Sequence, residues 1–256
     1  MSKQLLHIVK LSGKVLADPE SVISVVKKWI ENDDKVIIVH GGGIQATRVS
    51  QAMDIVPKVV DGRRITDSET LDVAIMVYGG LLNKKLTATL NSRGVESIGV
   101  SGGDLSLVSS HKRPVHEIDY GWVGDIEKVN VSNFTKILKN HWVPVVCALT
   151  SDKTGQLLNT NADTIATQIG IAMQIEFETR IYFISDIPGV MKDLTDSSTL
   201  IQKLNKVSYI KLKEEGIISG GMIPKLDNAF EAVNTGIVGI WIGNELGNDK
   251  VGTWIS

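Results

Sequence analysis

The sequence predicts an α/β fold in which a mostly parallel β-sheet carries helices on both faces. Short apolar runs of strand length alternate with helical patterns along the chain. Most of these runs are apolar at every position, as is typical of strands that are buried on both faces. Repeated strand–helix succession favours parallel pairing through crossover helices. At 256 residues, the chain is long enough for one large core or two modest lobes.

Each element is predicted from its own local pattern. The β-branched apolar runs predict strands at 5–11, 35–40, 97–100, 143–148, 181–185 and 239–242. Helical patterns lie at 19–32, 44–53, 67–92, 132–140, 161–173, 208–215 and 222–234. Asp18 before Pro19, and the segment 66–69, have residues that favour helix starts. Alternating residues punctuated by proline and glycine predict a β-hairpin or small antiparallel excursion at 105–129.

Composition excludes several classes of partner and location. A net charge of −2, with basic residues spread along the chain, gives no reason to expect nucleic acid or a membrane surface. The chain has one cysteine, Cys147, inside an apolar run, so we expect a buried thiol and a reducing compartment. There is no signal peptide and no apolar run of membrane-spanning length, which predicts the cytoplasm.

Glycine and charge clusters follow several predicted strands. They lie at 12–13, where the chain is expected to turn after the first strand, and at 41–43, 101–104 and 186–189. Ligands of such sheets bind beyond the carboxyl ends of the strands, so we expect these segments to meet at one rim. Lys10 precedes the first cluster, and Lys225 follows Gly220-Gly221 at the start of a helix. Because glycines admit an anion to backbone N–H groups and lysines balance its charge, the pattern predicts a phosphate or carboxylate site.

Some of these motifs also have a purely structural interpretation. Gly41–Gly43 could form a simple strand–helix turn, and it matches neither the dinucleotide fingerprint nor the P-loop. His40 is expected to pack its ring at a strand end, and the run 83–85 to be a solvated helix face. Asn161 is a good N-cap and Asp163 suits a first helical turn, but capping does not account for Asn159.

Six ordered motifs resemble those of the amino acid kinase family over essentially the whole chain. They are Lys10–Gly13, His40–Gly43, Asp61–Thr66, Asn159–Asp163, Ser185–Gly189 and Gly220–Lys225. The resemblance implies a three-layer αβα sandwich around a mainly parallel β-sheet, as a single domain over 1–256. It implies an acylglutamate and dimerisation lobe at about 1–175 and an ATP lobe at about 176–256.

Within the family, the motifs are most similar to those of members that phosphorylate an N-acyl-L-glutamate in arginine biosynthesis. The resemblance implies phosphorylation of the substrate γ-carboxylate by ATP, with Mg²⁺ carried by the nucleotide and no metal site in the protein. Lys10 and Lys225 would stabilise the transferring phosphoryl group, and Asp163 would position them. The acylglutamate contacts would be Gly42, Gly43, Arg63, Arg64 and Asn159. The ATP contacts would be Gly13, Asp186, Ile187, Pro188, Gly189, Val190, Met191, Ile217, Ile218 and Ser219.

The sequence departs from the family pattern at Arg63. The family usually has leucine there, beside the acetyl methyl group. A guanidinium beside a methyl group gains nothing, whereas beside a second carboxylate it gains a charge-assisted hydrogen bond. The acyl group is therefore either acetyl or a larger acidic group such as succinyl, and the alternative for Arg63 is a solvated side chain.

Two further features bear on assembly and on rival functions. The chain starts almost directly on its first strand, without the extra helix of arginine-inhibited hexameric relatives, so we expect an arginine-insensitive homodimer.

The rival hypotheses are a family member with another acceptor (aspartate, glutamate, carbamate or a nucleoside monophosphate) and a non-catalytic binding module. Ser12, which stands where the family usually has glycine, leaves room for the second of these.

Overall fold

The structure is a computed structural model and describes residues 3–60, 63–193, 195–218, 222–248 and 250–256. Within them the strands are β1 (Leu5–Leu11), β2 (Lys35–His40), β3 (Val59–Val60), β4 (Arg63–Arg64), β5 (Ser97–Val100), β6 (Val108–Lys112), β7 (Gly124–Val129), β8 (Val143–Cys147), β9 (Leu149–Ser151), β10 (Leu157–Asn159), β11 (Glu178–Ile184), β12 (Lys203–Leu204), β13 (Gly239–Gly243) and β14 (Thr253–Ile255). The α-helices are α1 (Gly13–Ala17), α2 (Glu20–Glu31), α3 (Gly43–Ala52), α4 (Ser68–Ala74), α5 (Asn83–Ser92), α6 (Val131–Lys139), α7 (Ala162–Met173), α8 (Lys206–Glu214) and α9 (Met222–Asn234). A π-helix, Ile75–Leu82, joins α4 to α5.

The chain divides into two compact units. The first comprises Met1–Val36 and Ile169–Ser256, and the second comprises Ile37–Gln168. In the first unit the strand order is β12-β14-β13-β11-β1. β1 pairs in parallel with β11, from Leu5 opposite Glu178 to Lys10 opposite Phe183, and β11 pairs in parallel with β13. β14 is antiparallel to β13 and β12 is parallel to β14, so β1, β11 and β13 run in one direction and the last two strands, β14 and β12, run in the other.

The second unit contains three sets of strands. β2, β8 and β5 are adjacent in that order and are all parallel. β10, β9, β6 and β7 form a separate four-stranded sheet, and β3 pairs antiparallel with β4. β2 and β8 are buried along nearly their whole length, which explains why their sequences do not alternate.

Most sequence predictions of elements are confirmed, and three are wrong. The strands at 5–11, 35–40 and 97–100 have the predicted bounds, and β6 and β7 form the predicted antiparallel pair. Asp18 does not cap α2, because Pro19 is the N-cap and no side-chain cap bond forms. Gly13 begins a short helix rather than a turn. The segment 67–92 is not one α-helix, because its middle follows π-helical geometry.

A buried aromatic network fixes the strand that carries Lys10. His7 of β1 stacks on Trp29 with ring centroids 3.9 Å apart. Its Nδ1 lies 3.0 Å from Tyr182 Oη, and its Nε2 lies 3.0 Å from an Asp34 carboxylate oxygen. Trp254 packs edge-on against Tyr182. Burial is the main cause that lowers the pKa of His7, while the Asp34 carboxylate acts in the opposite direction. The network therefore holds β1 against β11 and α2 through packing as well as backbone pairing.

None of the helices in the described ranges is long and apolar enough to cross a membrane. Cys147 is fully buried, as the sequence predicts, and burial raises its pKa to about 12. The thiol is therefore neutral and not a nucleophile. The assignment of the two lobes to acylglutamate and ATP stays a prediction.

Candidate active site

In the first unit, the two lysines of interest neighbour the same aromatic residue. The β1–β11 register sets Lys10 opposite Phe183. Residues that pair across adjacent strands point to the same face of the sheet. The Nζ of Lys225, in the first turn of α9, lies 5.5 Å from the centroid of the Phe183 ring. Phe183 is only 3% exposed. The buried Phe183 thus lies opposite Lys10 in the sheet and beneath the ammonium group of Lys225, two residues that come from opposite ends of the chain.

The loops that follow β1 and β11 are joined through Ser12. Its hydroxyl accepts a hydrogen bond from the Val15 backbone N–H, as the N-cap of α1. The same hydroxyl donates to a carboxylate oxygen of Asp186 at 3.4 Å. A glycine at this position could make neither bond. Ser12 therefore ties the start of α1, just after Lys10, to the loop proposed to contact nucleotide.

That second loop, residues 185–191, is held in place by the C-terminal segment. The Val190 N–H donates to the Thr253 hydroxyl at 2.8 Å, and the Gly252 N–H donates to the Pro188 carbonyl at 2.8 Å. A Cβ on Gly189 would lie 2.7 Å from both Leu200 Cδ1 and Thr253 Oγ1, so only glycine fits there. Asp186 and Ile187 precede these anchored residues, and Met191 follows them.

The remaining predicted nucleotide contacts lie between α8 and α9. The N–H groups of Ile217 and Ile218 both donate to the Leu212 carbonyl, at 3.0 and 3.1 Å. Ile218 is buried, and Ile217 is partly buried. Ser219, with Gly220 and Gly221, lies outside the described residues, as do Asp61 and Gly62.

In the second unit, Arg64 reaches the glycine turn at the start of α3. Its Nη2 donates to the Gly43 carbonyl at 3.1 Å and to the Thr47 hydroxyl at 2.6 Å. Within the described part of the chain its Nη1 is buried and has no hydrogen-bond partner. A Cβ on Gly42 would lie 2.8 Å from Tyr78 Cδ1 and would overlap Leu82. The turn therefore requires glycine, and it stands beside an arginine N–H that lacks an acceptor.

Tyr78 lies close to Arg64 and was not selected from the sequence. Burial raises the pKa of Tyr78, and the Arg64 guanidinium offsets part of that rise. The phenol therefore stays neutral at physiological pH and can donate a hydrogen bond but cannot serve as a base. Its position in the π-helix Ile75–Leu82 explains why helical periodicity gave no signal.

Asn159, at the end of β10, and Asp163, in the first turn of α7, are both held by hydrogen bonds of the surrounding backbone and side chains. The Asn159 amide donates to the Thr66 hydroxyl at 3.0 Å, and this hydroxyl donates to the Arg64 carbonyl at 3.3 Å. Asn159 is thus connected to the strand of Arg64. This contact explains the presence of Asn159, which helix capping does not explain. Asn161 accepts from the N–H groups of Asp163 and Thr164, and so caps α7 as predicted. Asp163 stands in the first turn of this helix.

His40 and Asn83 form a buried pair behind the glycine turn. The His40 Nδ1–H donates to the Gly41 carbonyl at 2.8 Å, and the Asn83 amide donates to His40 Nε2 at 3.1 Å and to the Val145 carbonyl at 2.8 Å. Burial lowers the pKa of His40 to about 4, so the ring is neutral. The predicted ring packing of His40 is confirmed. The prediction of a solvated face was wrong for Asn83, although Lys84 and Lys85 are exposed.

Comparison with known proteins gives a consistent result. The sequence model described as "Amino acid kinase family" matches residues 6–244. The acetylglutamate kinase of Cytophaga hutchinsonii is 42% identical over 93% of this chain and 91% of its own. That of Bacteroides thetaiotaomicron is 40% identical over 94% of this chain and 93% of its own. The solved structure of smu.665 from Streptococcus mutans UA159 covers 98% of both chains with a TM-score of 0.84 at 24% identity, a likeness of fold.

Proposed function

Because this chain belongs to the amino acid kinase family, we propose that it transfers the γ-phosphoryl group of ATP to the γ-carboxylate of an N-acyl-L-glutamate. The relatives named acetylglutamate kinase, which match more than nine-tenths of the chain, support this acceptor and a place in arginine biosynthesis. The observation that carries the proposal is that the β1–β11 register sets Lys10 opposite Phe183, whose ring lies 5.5 Å from the Nζ of Lys225.

The reaction needs positioning and charge balance rather than a base. A γ-carboxylate with a reference pKa of about 4.3 is already ionised at neutral pH. Its oxygen attacks the γ-phosphorus, the bond from that phosphorus to the β,γ-bridging oxygen breaks, and ADP leaves with the bonding electrons. Negative charge spreads over the equatorial oxygens in the transition state. Lys10 and Lys225 supply positive charge for these oxygens, and Asp163 acts as an organiser rather than as a proton acceptor.

The nucleotide is proposed to bring Mg²⁺ with it. No group of three or more histidine, cysteine or acidic side chains in the described ranges could hold a metal ion. The Mg²⁺ ion would be held mainly by phosphate oxygens, where it would supply further positive charge. Gly13, the loop 186–191 and Ile217–Ile218 are the proposed ATP contacts. Ser219, outside the described residues, is proposed from the family motif alone.

The acylglutamate contacts are proposed on the second unit. The Arg64 Nη1–H without a partner, next to the N-terminus of the ten-residue α3, is suited to a carboxylate. Gly42, Gly43 and Asn159 would complete the contacts to the substrate backbone. This donor set favours an acylated amino acid, which has a carboxylate for Arg64 besides the one that is phosphorylated, over carbamate, which has none to spare.

A substrate panel tests the proposal. Purified protein with MgATP is incubated with N-acetyl-L-glutamate, N-succinyl-L-glutamate, glutamate, aspartate, carbamate and a nucleoside monophosphate, and ADP release is measured. We expect turnover with an N-acylglutamate and little with the others. Selective turnover of any other acceptor would show that the protein has a different activity of the family. Absence of turnover with every acceptor would favour a non-catalytic binding module.

We also infer a cytoplasmic homodimer. Exposed apolar side chains, including Ile44 at 77% and Met76 at 48%, lie on α3 and on the π-helix, which pack against each other. Burial of such side chains against a second copy would remove them from water. Light scattering after size-exclusion chromatography measures the mass, and a monomer at micromolar concentration would contradict the dimer.

A further inference from the structure

A buried chain of hydrogen bonds runs from β8 to the carbonyl group of Gly41. The side-chain amide of Asn83 donates to the Val145 carbonyl at 2.8 Å and to His40 Nε2 at 3.1 Å. The His40 Nδ1–H donates in turn to the Gly41 carbonyl at 2.8 Å. His40 is fully buried, and Asn83 is 1% exposed. Because buried polar groups cost free energy unless they are bonded, each member of this chain of bonds is held in its place.

The tautomer of His40 follows from the partners of Asn83. A backbone carbonyl can only accept a hydrogen bond, so the Asn83 atom beside Val145 is the amide nitrogen. The second hydrogen of this nitrogen faces His40 Nε2, which therefore carries no hydrogen itself. The imidazole hydrogen then lies on Nδ1 and is donated to Gly41. A residue of α5 thus makes His40 a donor to the glycine turn.

The bond to Gly41 sets the orientation of the peptide group that joins Gly41 to Gly42. This peptide is trans, so its carbonyl and its N–H point in opposite directions. Because His40 holds the carbonyl, the Gly42 N–H faces away from the buried ring. Among the described residues, the Gly42 N–H donates to no acceptor. It is therefore a donor that the protein orients and leaves available to a ligand.

A peptide group between two glycines needs such a restraint. Glycine has few steric limits on its backbone angles, so this peptide could rotate and turn its N–H away from a ligand. A side chain at position 42 could not supply the stiffness, because a Cβ there would lie 2.8 Å from Tyr78 Cδ1 and would overlap Leu82. The hydrogen bond from His40 restrains the peptide without adding a side chain to the turn.

Resting on the proposed function, we infer that His40 is a positioning residue for the kinase reaction. Through the Gly41 carbonyl it orients the Gly42 N–H towards a carboxylate of the acylglutamate, and Asn83 keeps the required hydrogen on Nδ1. Neither side chain touches the substrate. An anion suits this N–H, because Gly42 is the N-cap of α3 and the Arg64 guanidinium donates to the Gly43 carbonyl beside it.

The experiment compares a variant that removes the donor with one that keeps it. Leucine at position 40 fills much of the space without a donor, whereas the amide nitrogen of asparagine can take the place of histidine Nδ1. His40→Leu should raise the KM for the acylglutamate about tenfold or more, since a donor to a charged group is lost, and leave the KM for ATP unchanged. His40→Asn should stay within about threefold of the unmodified protein.

Asn83→Leu tests the other end of the chain of bonds. It leaves the imidazole in place but no longer fixes its tautomer, so the KM for the acylglutamate should rise, though less than in His40→Leu. The substrate is N-acetyl- or N-succinyl-L-glutamate, whichever the unmodified protein turns over faster. Should His40→Leu fail to fold, an unchanged acylglutamate KM in Asn83→Leu would overturn the inference.

Phe134→Leu is the control for lost stability, because Phe134 is a fully buried residue of α6 without a proposed contact to substrate. It should lower the free energy of unfolding without raising either KM. An unchanged acylglutamate KM in His40→Leu, or an equal rise in His40→Leu and His40→Asn, would overturn the inference and leave the proposed function intact. Absence of turnover of both acylglutamates by the unmodified protein would overturn both.

Discussion

Arg64 is the residue proposed to bind a substrate carboxylate, because its Nη1 has no hydrogen-bond partner in the described part of the chain. Two of its contacts hold the guanidinium plane, through Nη2 to Gly43 and Thr47, and the buried Nη1 remains for a ligand. Leaving a buried donor unsatisfied costs about 1–3 kcal/mol. A ligand carboxylate would recover this energy, so the empty donor favours binding of an anion over a purely structural role.

We predict that Arg64→Lys raises the KM for the acylglutamate roughly 10- to 100-fold, the equivalent of about 1.5–3 kcal/mol. Lysine keeps the charge but lacks the planar fork that can hold Thr47 and a ligand at once. The KM for ATP should change little. Steady-state kinetics with each substrate varied in turn measure both constants. An unchanged KM for the acylglutamate would show that Arg64 does not bind this substrate.

His40 makes the stability of the protein depend on pH. Its pKa is about 4 in the folded protein against 6.5 for a free histidine, because burial disfavours the charged ring. Above pH 6.5 the ring is neutral in both states. As the pH falls from 6.5 to 4, the unfolded chain binds a proton that the folded one does not, so stability is lost. The difference of about 2.5 between the two pKa values corresponds to roughly 3 kcal/mol.

We expect urea unfolding to show this loss between pH 6.5 and 4.5 in the unmodified protein, and a shallower slope in His40→Gln. His116→Gln serves as the control, because His116 is exposed and should leave the slope unchanged. The comparison concerns slopes, so a uniform drop in stability in His40→Gln does not affect it. Parallel pH profiles for all three proteins would show that His40 is not the titrating group.

At the scale of elements, a contact between α8 and α9 positions Lys225. The Tyr209 hydroxyl donates to an Asp227 carboxylate oxygen at 2.7 Å, and Lys213 Nζ lies 3.1 Å from the other. Tyr209 is buried, with 1% of its surface exposed. Asp227 lies two residues after Lys225 on α9, so the bond restrains the turn that carries the lysine. We therefore expect Asp227 to hold this turn in place without touching either substrate.

Tyr209→Phe is predicted to lower the free energy of unfolding by about 1 kcal/mol and to lower kcat several-fold. The KM for the acylglutamate should be unaffected, since the change acts only on the position of Lys225. Lys211→Gln provides a control on the same helix, because it breaks only an exposed ion pair with Glu215. If kcat keeps its value while stability falls, the contact is structural only.

The elements that the sequence predicts well are those whose pattern is set by burial. β1, β2 and β5 are recognised because their residues are apolar, and α9 because its apolar face has a helical period. The pairs β3–β4 and β9–β10 have only two or three residues in each strand, so no periodicity can develop. The burial of Asn83 was missed because the π-helix rotates the residues after it relative to an α-helical projection.

For the whole molecule, the order of motifs along the chain was more informative than any single motif. Ser12, the N-cap of α1, and Asp186 are distant in sequence, yet the parallel pairing of β1 with β11 brings them within hydrogen-bond distance. That meeting could be expected from the rule for parallel sheets. The Arg113–Asp125 pair and the Tyr78–Arg64 contact could not, because both depend on side-chain positions set by tertiary packing.

The central claim is that Lys10 and Lys225 supply charge to a phosphoryl group in transit to a carboxylate. Product formation is measured directly by trapping the acyl phosphate with hydroxylamine and quantifying the hydroxamate, for the unmodified protein, Lys10→Ala, Lys225→Ala and the exposed-surface control Lys27→Ala. We predict a fall in kcat of roughly 10²- to 10³-fold for each of the first two variants and no change for the control. Hydroxamate formation at the unmodified rate in either Lys10→Ala or Lys225→Ala would contradict the account.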